Sequence, residues 1–290
     1  MIFDRKTYRW KCKNKTVVLG KRTLVMGILN TTPDSFSDGG DFATPSAAVE
    51  RALEMESQGA DIIDIGGEST RPGAAPVSES EEIRRTAPII GKIREHSDIL
   101  ISIDTTKAAV AFQALEAGAQ IVNDISALEA DEKMIGIVKK SQAGAVLMHR
   151  KGSPKTMQEN PNYENVVKDV RTYLNRRAKA CIQLGITPNQ LVIDPGIGFG
   201  KTTAHNLELL RRLPKLAECG YPTLVGASRK NFIGQTTGRA IPQERLGGNL
   251  GVAAWAVLHG AHILRVHDII DTCDACRLLD TLLAGVYSCN

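Results

Sequence analysis

No basic block runs through this 290-residue chain, no apolar run reaches membrane-spanning length, and no stretch is of low complexity or reads as a linker. Its 36 Lys and Arg are scattered among 32 Asp and Glu, leaving a formal charge of only +4. Neither nucleic acid nor a membrane is therefore an expected partner, and any bound anion must be met by a few placed residues. The stretch "MIFDRKTYRWKCKNK" carries charge but no apolar core of the kind a secretory signal needs, so a cytoplasmic protein is expected. Six cysteines are spread widely. Only Cys273 and Cys276 lie close, within the helical run "DIIDTCDACRLLDTLLAG", without the preceding strand of a thioredoxin-like site and without a second pair for zinc. Thiols in a reducing compartment are the expectation. No Ser-His-Asp or Cys-His constellation stands out in the motifs, so covalent catalysis lacks a candidate nucleophile.

A nucleotide loop is nearly present and fails by one residue. "LVIDPGIGFGKTT" (191–203) runs from an apolar strand through alternating glycines into Gly-Lys-Thr. A phosphate-binding loop of that type needs Gly five places before Gly200, and Pro195 stands there, with no N–H to offer and a fixed φ. The dinucleotide spacing fails too, because Gly196, Gly198 and Gly200 alternate strictly.

What the chain does have is repetition. Eight short aliphatic runs alternate with amphipathic helical stretches: "TLVMGILN" (23–30), "DIIDIGGE" (61–68), "LISID" (100–104), "IVNDIS" (121–126), "AVLMH" (145–149), "LVID" (191–194), "TLVGASRK" (223–230) and "HILRVHD" (262–268). Near-continuous apolar character suits parallel strands buried on both faces. Between them, Pro45 opens one helix, and Gly59, Gly118 and Gly185 close three. Eight such units in one domain spanning 1–290 predict a (β/α)8 TIM barrel rather than an open doubly wound sheet. The segment "YRWKCKNKTVVLG", about 7–20, predicts a hairpin around Lys13–Lys15 that caps the bottom of the barrel. Polar groups end every strand, and in a barrel those ends share one face, where active sites of this fold are built. Any single one, Asp124 and Ser126 in particular, can equally be a turn former or helix cap.

The motifs "MGILNTTPDSFSDGG", "GADIIDIGGESTRPGAAPVSESEE", "SIDTTKAAVA", "IVNDIS", "DPGIGFGK", "GASRKNFIG" and "RVHD", in this order, resemble the dihydropteroate synthase family from about residue 24 to the last helix. The resemblance implies a transferase of folate biosynthesis, joining 4-aminobenzoate to 7,8-dihydropterin-6-ylmethyl diphosphate and releasing pyrophosphate. It also implies Mg2+, a homodimer and sensitivity to sulfonamides. By that resemblance Asp194 reads the adjacent donors of the pterin's pyrimidine edge, a bidentate charge-assisted pair. Asp104, Asn123, Met148, Phe199, Lys230 and Arg265 are further pterin contacts, and Arg265 can lie over the ring face. Asn30, Thr70, Arg71, Arg265 and His267 form the diphosphate site, Asn30 offering its oxygen to Mg2+. Phe36, Thr70, Pro72, Phe199, Lys230 and Asn231 surround 4-aminobenzoate. The implied catalytic set is Asp38, Asp104, Arg71, Arg265 and His267, acting on a dissociative displacement. Thr31, Ile197 and Asn231 depart from the family pattern, none of them removing a charge; Asn231 bears on the aminobenzoate carboxylate.

Two other readings share parts of this pattern. A pterin-dependent methyltransferase would need the pterin-reading Asp and Asn but not "STRPG" and "RVHD", and a silent pterin-binding paralogue would be expected to lose Arg71, Asp38 or His267.

Overall fold

A strand that is apolar at successive positions has no solvent face and must be covered on both sides. The computed structural model describes residues 5–31, 45–69, 75–152, 157 and 159–285, and in it that requirement is met by a barrel. First comes an antiparallel pair, β1 (Tyr8–Cys12) and β2 (Lys15–Leu19), turning at Lys13 with φ of 58°. Eight parallel strands follow: β3 (Leu24–Asn30), β4 (Ile62–Gly66), β5 (Leu100–Asp104), β6 (Ile121–Asp124), β7 (Gly144–Met148), β8 (Leu191–Asp194), β9 (Leu224–Val225) and β10 (Ile263–Val266). Their lateral order is β8-β7-β6-β5-β4-β3-β10-β9. A parallel bridge from Ile193 to Thr223, with Ile193 N donating to Pro222 O at 2.9 Å, brings β8 back to β9 and closes the ring. This is the (β/α)8 barrel that the repeat predicts.

The strands alternate with α1 (Pro45–Ser57), α2 (Glu79–His96), α3 (Ala108–Ala117), α4 (Met134–Ser141), α5 (Val166–Gln183), α6 (Thr203–Arg211), the short α7 (Pro214–Ala217), α8 (Asn231–Thr237), α9 (Leu246–Leu258) and α10 (Ile269–Ala284). Local chemistry sets their ends. Ser78 caps α2 by accepting from Glu81 N, with three glutamates in the first turn, and Asn165 caps α5 by accepting from Lys168 N. Gly59, Gly118 and Gly185 lie just beyond α1, α3 and α5 with positive φ, as the sequence predicts. Among the described residues no helix is long and apolar enough to cross a membrane.

Two apolar layers result. Outward residues such as Ile63, Ile65, Ile101, Ile103 and Leu147 pack under the helices. Inward residues Leu24, Met26, Ile62, Ile121, Val146, Val192, Leu224 and Ile263 fill the lower barrel, where Trp10, Cys12 and Leu19 of the hairpin meet them. Trp10 Nε1 donates to Gln190 O at 2.9 Å, so the hairpin plugs the N-terminal end with its polar atom satisfied.

Several strands stop earlier than the sequence predicts. The run 121–126 ends at Asp124, whose Oδ1 accepts from Ser126 N and Oγ, both at 2.6 Å, in a side-chain turn. The run 223–230 keeps only Leu224–Val225 in the ladder. Arg229 adopts φ of 59°, and Lys230 N donates to Ala227 O at 3.2 Å, which turns the chain out of the sheet and into α8.

Candidate active site

Side chains two apart on a strand point the same way. In the lower barrel the inward positions are apolar; one step further up they are Asp64, Ser102, Asn123, Asp194 and Arg265. Parallel register sets their neighbours side by side: Asp64 opposite Ser102, Gly66 opposite Asp104, Asp104 opposite Asn123, and Met148 opposite Asp194. A polar layer therefore sits directly on the apolar floor.

Arg265 organises it. Its Nε donates to Asp64 Oδ2 at 2.6 Å and its Nη2 to Asp104 Oδ2 at 2.7 Å. Asn123 Nδ2 donates to the same Asp64 oxygen at 3.0 Å. Asp64 Oδ1 and the Ser102 hydroxyl are buried and have no hydrogen-bond partner among the described residues. Asp194 Oδ1 accepts from Gly196 N at 2.7 Å, while its other oxygen lies 4.0 Å from the place a Cβ on Gly226 would occupy. That Cβ would also lie 3.6 Å from Arg265 Cβ, so the glycine keeps the gap between the two residues open. Met148 is buried against the loop after β8.

That loop, 195–200, is built on three glycines with φ of 66°, 83° and 64°. Ile197 O accepts from Lys230, whose ammonium lies 4.5 Å from the centre of the Phe199 ring. Gly198 N donates to Asn206 Oδ1 at 2.7 Å, and Gly200 O accepts from Tyr163 at 2.8 Å. Lys201 turns back into the loop and donates to Gly196 O and Phe199 O, both at 2.9 Å. Carbonyls, not N–H groups, converge on its centre, which is the reverse of a phosphate cradle.

On the next strand ends, His267 Nδ1 lies 3.0 Å from Ser228 Oγ. Arg229 pairs with Asp268, and Asn249 donates to Asp268 Oδ2 at 3.0 Å while accepting from Arg229 N. This frame holds the Ser228–Lys230 turn against β10. Asn30 Oδ1 sits at the end of β3 near Gly66 and Asp104, since a Cβ on Gly66 would lie 3.9 Å from it. Among the described residues no group of three or more His, Cys, Asp and Glu could hold a metal. A single amide oxygen is still a donor suited to a hard cation that keeps most of its waters. Asn231 is exposed at the first turn of α8. Phe36, Asp38, Thr70, Arg71 and Pro72 lie outside the described residues. Just before the last three, Glu68 and the buried Glu82 of α2 both pair with Lys107.

Burial sets the electrostatics. It pushes the Asp104 carboxyl up to about 7, with the Arg265 charge opposing and Asp64 adding to the rise. Asp194 is raised for the same first reason, against the pull of Lys230. Lys230 is pushed down to about 8 by burial, Asp194 opposing. Arg265 is desolvated too, but Asp64 and Asp104 outweigh that and hold it more firmly protonated than usual. A pocket with carboxyls raised and an amine lowered is ready to exchange its internal charges for those of a polar ligand.

Most described site residues predicted from the sequence, namely Asp104, Asn123, Met148, Asp194, Phe199, Lys230 and Arg265, thus line one mouth, with Asn30 and His267 on its rim. Sequence reasoning missed Asp64, Ser102 and Lys201. Asp64 stands in mid-strand, and only the inward parity it shares with Gly66 marks it. Asp124, by contrast, shapes its own turn, accepting also from Leu128 N at 3.1 Å.

Comparison with known proteins bears on what such a mouth is for. The family model described as "Pterin binding enzyme" matches residues 26–267. The dihydropteroate synthase of Synechocystis sp. is 48% identical over 91% of this chain and 91% of its own. Among solved structures, Xanthomonas albilineans dihydropteroate synthase with 4-aminobenzoic acid superposes with a TM-score of 0.90 at 42% identity, covering 96% of this chain and 99% of that one. The same enzyme in complex with 7,8-dihydropteroate gives 0.85 at 40% identity, over 94% and 99%. With the fold, the polar layer and the motifs all in agreement, the chain belongs to the dihydropteroate synthases of the pterin-binding enzyme family.

Proposed function

We propose that this protein condenses 7,8-dihydropterin-6-ylmethyl diphosphate with 4-aminobenzoate, giving 7,8-dihydropteroate and pyrophosphate for folate biosynthesis. The observation that carries the reading is the convergence of Asp194, Asn123, Asp104, Lys230 and Arg265 on one buried mouth. Asp194 is already oriented by Gly196 N–H, and its remaining lone pairs accept the two adjacent N–H groups of a pyrimidine edge. Asn123 and Asp104 meet the rest of the heterocycle. Lys230 donates to its carbonyl and a ring nitrogen, Met148 packs against the ring, and the Arg265 plane faces it.

The reaction then needs no protein nucleophile. The methylene C–O bond breaks with its electron pair leaving on the diphosphate. The electron-rich dihydropterin carries the resulting positive charge, the aminobenzoate nitrogen bonds to the methylene carbon, and that nitrogen gives up its proton to solvent. Thr70, Arg71, Arg265 and His267 hold the departing diphosphate, while the Asp104 and Asp38 carboxylates offset the cation. Phe36, Pro72 and Phe199 form the slot for the aminobenzoate ring, with Thr70, Lys230 and Asn231 towards its carboxylate. Asn30 would hold Mg2+ together with diphosphate oxygens, and bound there the ion would neutralise leaving-group charge. We place the protein in the cytoplasm, a reading supported by five described cysteines that are all free thiols. We further propose a homodimer; Ile270, Leu278 and Leu282 leave an apolar face exposed on α10 that fits a second copy. Sedimentation as a monomer at every concentration would overturn that assembly.

Pyrophosphate release tests the activity. It should require the pterin diphosphate, 4-aminobenzoate and Mg2+ together; release without 4-aminobenzoate, or none with all three, sinks the proposal.

A further inference from the structure

The Gly-Lys-Thr after β8 has no part in the chemistry above, yet its lysine is buried and hydrogen-bonded on several sides. Lys201 is only 3% exposed. Its Nζ reaches Gly196 O and Phe199 O at 2.9 Å and His149 Nδ1 at 3.0 Å, with His149 O at 3.3 Å. An ammonium has three N–H groups, and three close acceptors occupy all of them. Two of those acceptors come from opposite ends of the loop and the third from the residue just past β7, so one cation ties the loop to the neighbouring strand. The path demands glycine. A Cβ at Gly196 would lie 1.9 Å from His149 O, and one at Gly200 would lie 2.2 Å from Lys151 O.

Three ligand-reading groups hang on this cage. Gly196 N orients the Asp194 carboxylate, Ile197 O anchors the Lys230 amine, and Phe199 itself carries the ring that the Lys230 ammonium overlies. We propose that Lys201 is a positioning residue of the active site: its caged ammonium sets Asp194, Phe199 and Lys230 in their binding geometry. The ligand named here rests on the pterin reading; the cage does not. A lysine that only filled space would, on removal, lower stability and leave ligand affinity alone. A positioning lysine loses affinity in a protein that is still folded, and a small cation in its place gives the affinity back.

The test is calorimetry with pterin diphosphate on two variants. Lys201→Met keeps the volume and removes the donors, and its Kd should rise at least about tenfold, since Phe199 O and the His149 imidazole lose their donor and Gly196 O keeps only Phe199 N–H, which frees the loop from β7. Lys201→Ala opens a cage of four acceptors, and ammonium chloride should restore at least about fivefold of the lost affinity where tetramethylammonium chloride restores none. A Kd for Lys201→Met within twofold of wild type overturns the proposal, as does a Lys201→Ala affinity indifferent to ammonium; the second variant decides if the first does not fold. Should the wild-type protein itself fail to bind pterin diphosphate, the functional reading falls. Amide exchange at Gly196 and Gly198 then judges the cage alone, with faster exchange in Lys201→Met upholding it and unchanged exchange ending it.

Discussion

Floor and mouth of this barrel are separated by one pleat step. Ile62, Leu100, Ile121, Val192, Leu224 and Ile263 face inward below; two residues on, the same strands present Asp64, Ser102, Asn123, Asp194, Gly226 and Arg265. The backbone geometry is the same in both layers, so the difference lies wholly in side-chain chemistry. Below, burial is favourable at about 1.5–3 kcal/mol for each large aliphatic group, and the hairpin completes it. Above, burial opposes ionisation, and the charges persist only by pairing among themselves. One layer holds the molecule together, and the other keeps unspent interactions for a ligand.

Breaking the floor should have the largest effect. Trp10→Ala removes the plug's main side chain and leaves Gln190 O without its donor, which should lower unfolding free energy by about 3–5 kcal/mol. Denaturant unfolding measures this, while pterin affinity of the folded fraction should stay within about threefold. An equal loss in both would mean the layers are not separable. Next comes Arg71→Ala, expected to cut kcat by about 10²–10³-fold as a lost donor to leaving-group charge. Binding of a pterin without diphosphate should not change; parallel losses would place Arg71 elsewhere. Asp194→Ala follows, with pterin affinity down at least about 100-fold for two lost charge-assisted bonds. Its thermal midpoint should hold or rise, because the carboxyl removed is one that burial disfavours when charged. A large drop in midpoint would make Asp194 part of the fold's support.

Much of this was legible because both layers obey simple periodicities. The eight aliphatic runs, Pro45 at a helix start and the closing glycines reflect local rules that tertiary packing did not override. Strand ends were less legible: Asp124 stands out as a candidate turn former, which its bonds to Ser126 and Leu128 bear out, but nothing in an aliphatic run announces the turn at Arg229. Asp64 was hidden for a different reason. Its meaning comes from Arg265, 201 positions away along the chain, and no local pattern encodes that pairing. Lys201 stands in a Gly-Lys-Thr whose pattern points to phosphate, whereas its partners are the loop's own carbonyls.

The smallest effect, and the sharpest for the comparison, is in pH. Asp104 titrates at about 7 in the folded protein against an ordinary 3.8, because burial outweighs the Arg265 charge. An acid whose folded pKa is raised contributes stability that is complete below 3.8 and lost as pH rises through about 7. The free protein should therefore lose stability from this group across that window. Pterin binding should run the opposite way, because it draws on the carboxylate: affinity falls by up to tenfold per unit, or about 1.4 kcal/mol, as pH drops below about 7. Thermal midpoints and calorimetric Kd from pH 5 to 8 test both slopes, and Asp104→Asn should flatten each. Because burial pushes the floor's Cys12 thiol up and keeps it protonated throughout this range, a wild-type affinity that is level between pH 5 and 7 would mean the mouth is as indifferent to protons as the floor.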